Sequence, residues 1–422
     1  MRINVIQSTV ALALLCATAA VRAEDGAPSR AEFDALAKEV KSLQTERAEL
    51  RGALAARDQG DIDGEIERYL DQPSTYPQPS DSSGTAFVLT GFAWTNFENI
   101  EGMDSTFRAA FVPIFLWKIN ERVFFEAEID FSLAEEETEV ELGYAQLSFI
   151  VNDWLTIGVG KFLTPFGSFW ERWHPAWINR LPTMPLVYAH HGGFIGEGLL
   201  GIQARGGVRM GRTLINYAVY IANGPSLGEE GHEAGGLEWE RNLDNNNSKT
   251  FGGRVGVLPI PHVEIGLSLL SGTVGDSGSQ YSDVDTLILG FDFWFGREVE
   301  ALKGYVEVRA EFAWADTDTA TFDDEDGNPF LFDNNTRQGW FVQVAWRPTL
   351  LDGIAKNFEL VVRFDSTLNH GPDELGIDQT RITIGVNYWL YENAPLKFAW
   401  FQDGFSEGDD RNGVIFQAAI GF

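Results

Sequence analysis

The stretch Val123-Phe-Phe-Glu-Ala-Glu-Ile-Asp-Phe-Ser-Leu133 decides how the rest of the chain is read. Val123, Phe125, Ala127, Ile129, Phe131 and Leu133 share one parity, and Glu126, Glu128 and Asp130 fill the other. A period of two places the apolar set on one face of a strand, whereas a helix would scatter it around its axis. The same alternation returns along the chain. Leu200, Ile202, Ala204 and Val208 stand against Gln203, Arg205 and Arg209; Val306, Val308, Ala310, Phe312 and Trp314 stand against Glu307, Arg309 and Glu311. Phe358, Leu360, Val362 and Phe364 oppose Glu359, Arg363 and Asp365, and Ile382, Ile384, Val386 and Tyr388 oppose Arg381, Thr383 and Asn387. Such strands suit solvated soluble sheets or a membrane barrel. These segments run to about 9–11 residues, the length a tilted strand needs to cross a bilayer. Their apolar faces often end in Trp, Tyr or Phe, as interfacial girdles do.

Connection lengths separate the two alternatives. From Thr85 onward about sixteen such segments follow one another, an even number as in single-chain bacterial barrels. Every second connection is tight: 119–121, 151–153, 210–212, 258–261 and 392–395. Those between are long, polar and acidic: 135–139, 223–249, 271–282, 316–337, 367–378 and 404–412. Short turns at one end and long loops at the other predict a transmembrane antiparallel β-barrel over 85–422. Two connections on the short side, 296–304 and 347–357, are longer than this pattern asks. The chain closes on Val414, Phe416, Ala418, Ile420 and Phe422, an alternating strand with a terminal aromatic. Phe416, Ile420 and Phe422 resemble the terminal signal recognised by outer-membrane assembly machinery.

Composition agrees. The 422 residues carry 31 Lys and Arg against 62 Asp and Glu, a net charge of −31. That balance argues against nucleic acid as a partner, because phosphate binding draws on Lys and Arg. Aromatics at 13 % and 44 glycines suit many strands joined by turns. The single cysteine, Cys16, excludes a disulfide framework. Beyond the first residues no apolar run of about 18 exists to form a spanning helix.

Residues 1–23 read as an export signal: Arg2, an apolar core from Val10 to Ala17, and the small-x-small site Val21-Arg22-Ala23. Over 29–57, Phe33, Leu36, Val40, Leu43, Arg47, Leu50 and Leu54 alternate spacings of three and four. This is a coiled-coil seam or one amphipathic periplasmic helix, with Gly52 and Arg47 weakening the seam. A Pro/Ser-rich linker occupies 58–84.

The run Leu155-Thr-Ile-Gly-Val-Gly-Lys-Phe-Leu-Thr-Pro-Phe-Gly167, followed by Trp170-Glu-Arg-Trp-His-Pro-Ala-Trp177, resembles the porins grouped with the phosphate-selective porins O and P. The resemblance implies a sixteen-stranded trimeric channel whose third external loop folds inward to narrow the pore. Here that loop is 163–196, with Phe166, Trp170, Arg172, Trp173, His174, Trp177 and Arg180 as its constriction residues. Its aromatic and proline content suits burial inside a barrel. The name-giving members bind phosphate through lysine clusters, but this chain has 23 Arg and only 8 scattered Lys, so phosphate specificity does not carry over.

With the apolar parity outward, Arg205, Arg209, Arg254, Arg309, Arg363 and Arg381 point into the lumen with Glu126, Glu128, Asp130, Glu307, Glu311 and Glu359. These charges either pair across strands and solvate the wall or set a transverse field that screens solutes. Lys161 breaks the alternation and must snorkel to the interface or sit on a bent strand. No nucleophile motif and no H-E-x-x-H exists for an enzyme. His190-His191 beside Glu197 and the acidic run 323–328 are weak metal candidates, and no metal or cofactor is assigned. The sequence therefore predicts a non-enzymatic diffusion channel for ions and small hydrophilic solutes. Its expected setting is the bacterial outer membrane, among lipid and lipopolysaccharide, as a homotrimer. A structural tether reaching the cell wall through the N-terminal helix is the alternative, with an outer-membrane enzyme behind it.

Overall fold

The computed structural model describes residues 85–422 except 134–137, 189–193, 230–233, 240–242, 324–328 and 370–375. The export signal, the 29–57 helix and the linker lie outside the described residues, as do His190-His191 and most of the acidic run 323–328. Along the chain come β1 (Ala86–Ile100), β2 (Thr106–Lys118), β3 (Val123–Leu133), β4 (Thr138–Asn152), β5 (Leu155–Leu163), β6 (Gly198–Met210) and β7 (Thr213–Ala222). After the short strands β8 (Ser226–Leu227) and β9 (Leu237–Glu238) follow β10 (Thr250–Ile260), β11 (Val263–Thr273), β12 (Asp285–Val299) and β13 (Gly304–Thr317). A hairpin of β14 (Ala320–Asp323) and β15 (Pro329–Phe332) precedes β16 (Asn335–Arg347), β17 (Phe358–Asn369), β18 (Gln379–Tyr391), β19 (Ala394–Phe405) and β20 (Arg411–Gly421).

Sixteen of these strands, all but β8, β9, β14 and β15, form one closed antiparallel barrel. Each pairs with its sequence neighbour, and β20 returns to pair with β1 in the register Phe97↔Phe416. Closure satisfies every ladder without an open edge, which is what a bilayer demands of strands. The expected parity is the observed one. Leu267, Phe291, Phe312 and Phe364 are exposed on the outside, and Asp292, Glu307, Glu311 and Arg363 are buried within. Phe416, Ile420 and Phe422 face outward, with Phe416 packed on Phe398 at 4.7 Å and Phe422 stacked on Phe111 at 5.7 Å.

The strands are 9 to 15 residues long rather than about 9–11. Pairing continues past the bilayer thickness at the long-loop end, where β12 and β13 stay in register to Thr286↔Thr317. The connection expected at 296–304 is also tighter than its sequence suggests. β12 and β13 remain paired down to Val299↔Gly304, leaving a single 3₁₀ turn, Glu300–Leu302, closed by Lys303 at φ 53°. Only 348–357, with its 3₁₀ helix Gly353–Asn357, stays long on that side. At the other end, Leu227, Val274, Tyr281, Phe322 and Phe332 knit the long loops into a small apolar core of their own.

The largest core lies inside the barrel. Between β5 and β6, the described residues 164–188 and 194–197 lie within the lumen. The neck of this loop is tied by the Thr164 amide donating to the Glu197 carbonyl at 2.8 Å. Phe166, Phe169, Trp170, Val187, Tyr188 and Phe194 of this loop pack against Tyr220, Leu270, Ile288, Ala315 and Phe341 of the wall. Lumen-facing glycines admit the large side chains. A Cβ on Gly290 would lie 2.6 Å from the Phe166 ring, one on Gly385 2.5 Å from Leu181, and one on Gly421 2.6 Å from Trp177.

Candidate functional site

Pro165-Phe166-Gly167 turns the chain into the lumen. Gly167 sits at φ 61°, and any Cβ there would collide with the Glu311 carboxylate and the Tyr188 hydroxyl. Both the left-handed backbone and the close approach require glycine. The Gly167 amide donates to Ser268 Oγ at 3.0 Å, and Ser168 donates to Glu311 through its amide at 3.1 Å and its hydroxyl at 2.7 Å. Tyr188 adds its hydroxyl to the same carboxylate. Burial and the Glu311 charge push the Tyr188 phenol well up, so it remains a neutral donor.

A one-turn π-helix, Phe169–Trp173, then presents adjacent opposite charges to two nearby strands, β6 and β11. Glu171 pairs with Arg205 at 2.9 Å, while Arg172 pairs with Glu264 at 2.6 Å. Arg254 stands behind, bidentate on Asp292 at 2.9 and 2.6 Å and bonded to Glu264 at 2.9 Å. Trp173 lies 3.8 Å beneath the Arg309 guanidinium, which itself pairs with Glu307 at 2.7 Å. Arg180 bridges Glu307 at 3.2 Å and Glu359 at 2.6 Å. Burial alone would lower the Arg180 value, but the two carboxylates hold it above its ordinary range, so it stays charged.

Further along, Arg363 donates to the Thr183 carbonyl and hydroxyl and the Met184 carbonyl at 2.8–2.9 Å, and pairs with Asp365 at 2.8 Å. Asp365 in turn accepts the Leu186 amide at 3.1 Å. Lys397 donates to the Ala176 and Asn179 carbonyls and to Gln417. Trp177 reaches the wall of β1, β2 and β20, packing beside Phe92 and Val112. The loop is thus fastened around most of the barrel's inner circumference.

The expected lumen residues divide by what the loop does to them. Arg309, Arg363, Glu307 and Glu311 are buried under it, while Arg254 is buried among its wall partners Asp292, Glu264 and Asn216. Arg205 remains 42 % exposed, and Glu126 accepts from Gln146. Together with Glu171, Arg172 and Arg254 they line a cavity of about 390 Å³ on the tight-turn side of the loop. Arg209 sits at the turn itself, donating to the Gly211 carbonyl at 3.2 Å. Arg381 pairs with Asp403 at 2.6 Å toward the long-loop end. Lys161 is half-buried and finds Glu141 at 3.7 Å, close to the bend at Gly160.

His174 caps the π-helix. Its Nδ1 meets the Trp170 carbonyl, and its Nε2 faces Glu128 Oε1 at 3.7 Å. Burial lowers its proton affinity, but the negative charges of Glu128 and Glu197 outweigh that and raise it overall. Glu197 is pushed up to about 7 by burial and by Glu128 and Glu141, against the pull of His174. Neither His174 nor His262, which bonds the Gly296 carbonyl at 3.1 Å, contacts a hydroxyl nucleophile.

Sequence reasoning missed Lys397, Asp365 and Glu264 as loop anchors, and Asp292 as the wall partner of Arg254. Lys397 had a signal: it lies between Leu396 and Phe398, both exposed on the outside, so its parity is inward.

By sequence, no protein-family model and no curated protein matches the chain. Solved structures do. OmpF of Salmonella typhi, in complex with daunomycin, superposes with a TM-score of 0.55 at 11 % identity, over 81 % of this chain and 98 % of that one. An anion-selective porin from Comamonas acidovorans gives 0.52 at 10 % identity, over 80 % of this chain and 100 % of that one. The outer-membrane channel DcaP of Acinetobacter baumannii gives 0.50 at 13 % identity, over 81 % and 99 %. The chain has the closed sixteen-strand barrel of the bacterial outer-membrane porins.

Proposed function

We propose that this protein is a passive outer-membrane channel for ions and small hydrophilic solutes, filtered where the loop 164–197 crosses the lumen. The observation that carries this reading is the charged cavity of about 390 Å³ between the inward loop and the β3–β10 wall. An apolar exterior for lipid around a polar interior is what a water-filled passage requires. The mixed pairs Glu171–Arg205 and Arg172–Glu264 flank that cavity and would act on permeant ions as opposed charges across a short gap. In this reading residues 1–23 are removed on export, 29–57 stands in the periplasm, and three barrels associate.

Planar bilayers test the proposal. Purified, heat-modifiable protein is expected to insert in conducting steps that come in threes, with ohmic current at low voltage. Folded protein that leaves bilayers silent and liposomes impermeable to small sugars would overturn it and favour a structural tether.

A further inference from the structure

At the neck of the inward loop, three side chains from separate stretches of the chain converge. Glu128 comes from β3, His174 from the end of the π-helix, and Glu197 from the last loop residue before β6. One ligand atom from each lies within 4.8 Å of the other two. Glu128 is only 3 % exposed, yet its Oε2 has no hydrogen-bond partner, and neither does His174 Nε2. A buried carboxylate oxygen left unpaired costs about 1–3 kcal/mol or more, which makes an unfilled valence here informative.

The histidine is set up as a ligand. Its Nδ1 is engaged by the Trp170 carbonyl, so Nε2 is the nitrogen that faces Glu128 and would take the metal on losing its proton. Ligating histidines generally hold their second nitrogen in this way. Gly143, at the bulge of β4, clears the space: a Cβ there would come within 2.8 Å of Glu128 Oε1. Charge points the same way. Asp130 and Glu141 stand close enough to act electrostatically on the cluster, and Lys161 is the nearby fixed cation. Four carboxylates against one lysine leave a local surplus of negative charge.

We propose that Glu128, His174 and Glu197 form a divalent metal site of the zinc class that clamps the neck of the inward loop to the barrel wall. One imidazole with two carboxylates suits zinc, with a fourth position open to water, whereas calcium asks for six to eight oxygens. Zinc bonds of about 2.0–2.2 Å in tetrahedral geometry put ligand atoms about 3.4 Å apart. The Nε2–Oε1 separation of 3.7 Å is already near that, and the rest follows from side-chain shifts of about 1 Å.

The test is equilibrium dialysis of the chelator-stripped, detergent-folded barrel against ⁶⁵Zn²⁺, with Glu128→Gln, His174→Gln, Glu197→Gln and, as a control, His262→Gln. One high-affinity zinc per chain is expected in the parent and in His262→Gln, with at least about 100-fold weaker binding in the other three. Heat-modifiable migration confirms that each variant is folded. His174→Gln, on the loop and not in a strand, serves should Glu128→Gln fail to assemble. Absence of stoichiometric zinc from the parent, or zinc held equally by the parent and all three ligand variants, would overturn the proposal. Conductance of the stripped protein is read separately, so loss of the zinc site leaves the channel reading standing.

Discussion

Two halves of one wall behave differently although the same alternation built both. Across β11–β18 the loop lies directly on the lumen face, and Glu264, Glu307, Arg309, Arg363 and Asp365 are consumed by it. On the tight-turn side of β3–β7 a cavity separates the loop from the wall, and Arg205, though paired with Glu171 at 2.9 Å, keeps 42 % of its side chain exposed. Parity therefore decides that a residue faces inward, while the loop decides whether it meets protein or water. Energetically the two classes diverge. Breaking a buried pair costs about 3–5 kcal/mol because the survivor stays desolvated, whereas an exposed pair contributes about 0–1 kcal/mol.

The widest way to break the contrast is to remove the loop. Deleting 170–188 should return the covered wall to water and raise single-channel conductance severalfold in a protein that still folds. Unchanged conductance would mean that the current does not pass the loop at all. A narrower change is Arg363→Ala. Arg363 is fully buried, and its loss would strand Asp365 and three loop acceptors. A loss of about 3–5 kcal/mol in denaturant unfolding is expected, together with noisier current. A loss below about 1 kcal/mol would show that the covered wall is no more committed than the open one. The smallest structural effect belongs to Arg205→Gln on the open side. Stability should move by less than about 1 kcal/mol, yet the reversal potential in asymmetric KCl should shift toward cations, as one positive charge leaves the cavity. An unmoved reversal potential would place the selective region elsewhere in the barrel.

The barrel was legible because lipid on one side and water on the other force a strict period of two, and runs such as Val306–Trp314 keep it. The inward loop was legible by contrast, since Trp170, Trp173 and Trp177 are out of place among acidic external loops. What it would grip was not. Arg180 meets Glu359 across 179 positions, and Lys397 meets Asn179 across 218, distances over which a single sequence carries no local pattern. Besides the inward parity of Lys397, the glycines at inward parity, Gly290, Gly385 and Gly421, were an available trace, for they mark where a large side chain from elsewhere must fit. Strand length was underread because ladder pairing outlasts the hydrophobic stretch that lipid imposes.

The seam between β1 and β20 has a consequence in time. The Gly91 amide and carbonyl exchange hydrogen bonds with Phe422 at 3.1 and 3.0 Å, and Thr90, separated from Phe422 by 332 positions, bonds the same terminal residue. All other barrel ladders join strands that follow one another around the wall, and they can zip up as hairpins. This one waits until β20 has been made. Contacts so distant along the chain are the slowest to find, so the last ladder to form is the one between β1 and β20. Until then two unpaired edges stand open, and the intermediate needs a partner, lipid or protein, to shield them.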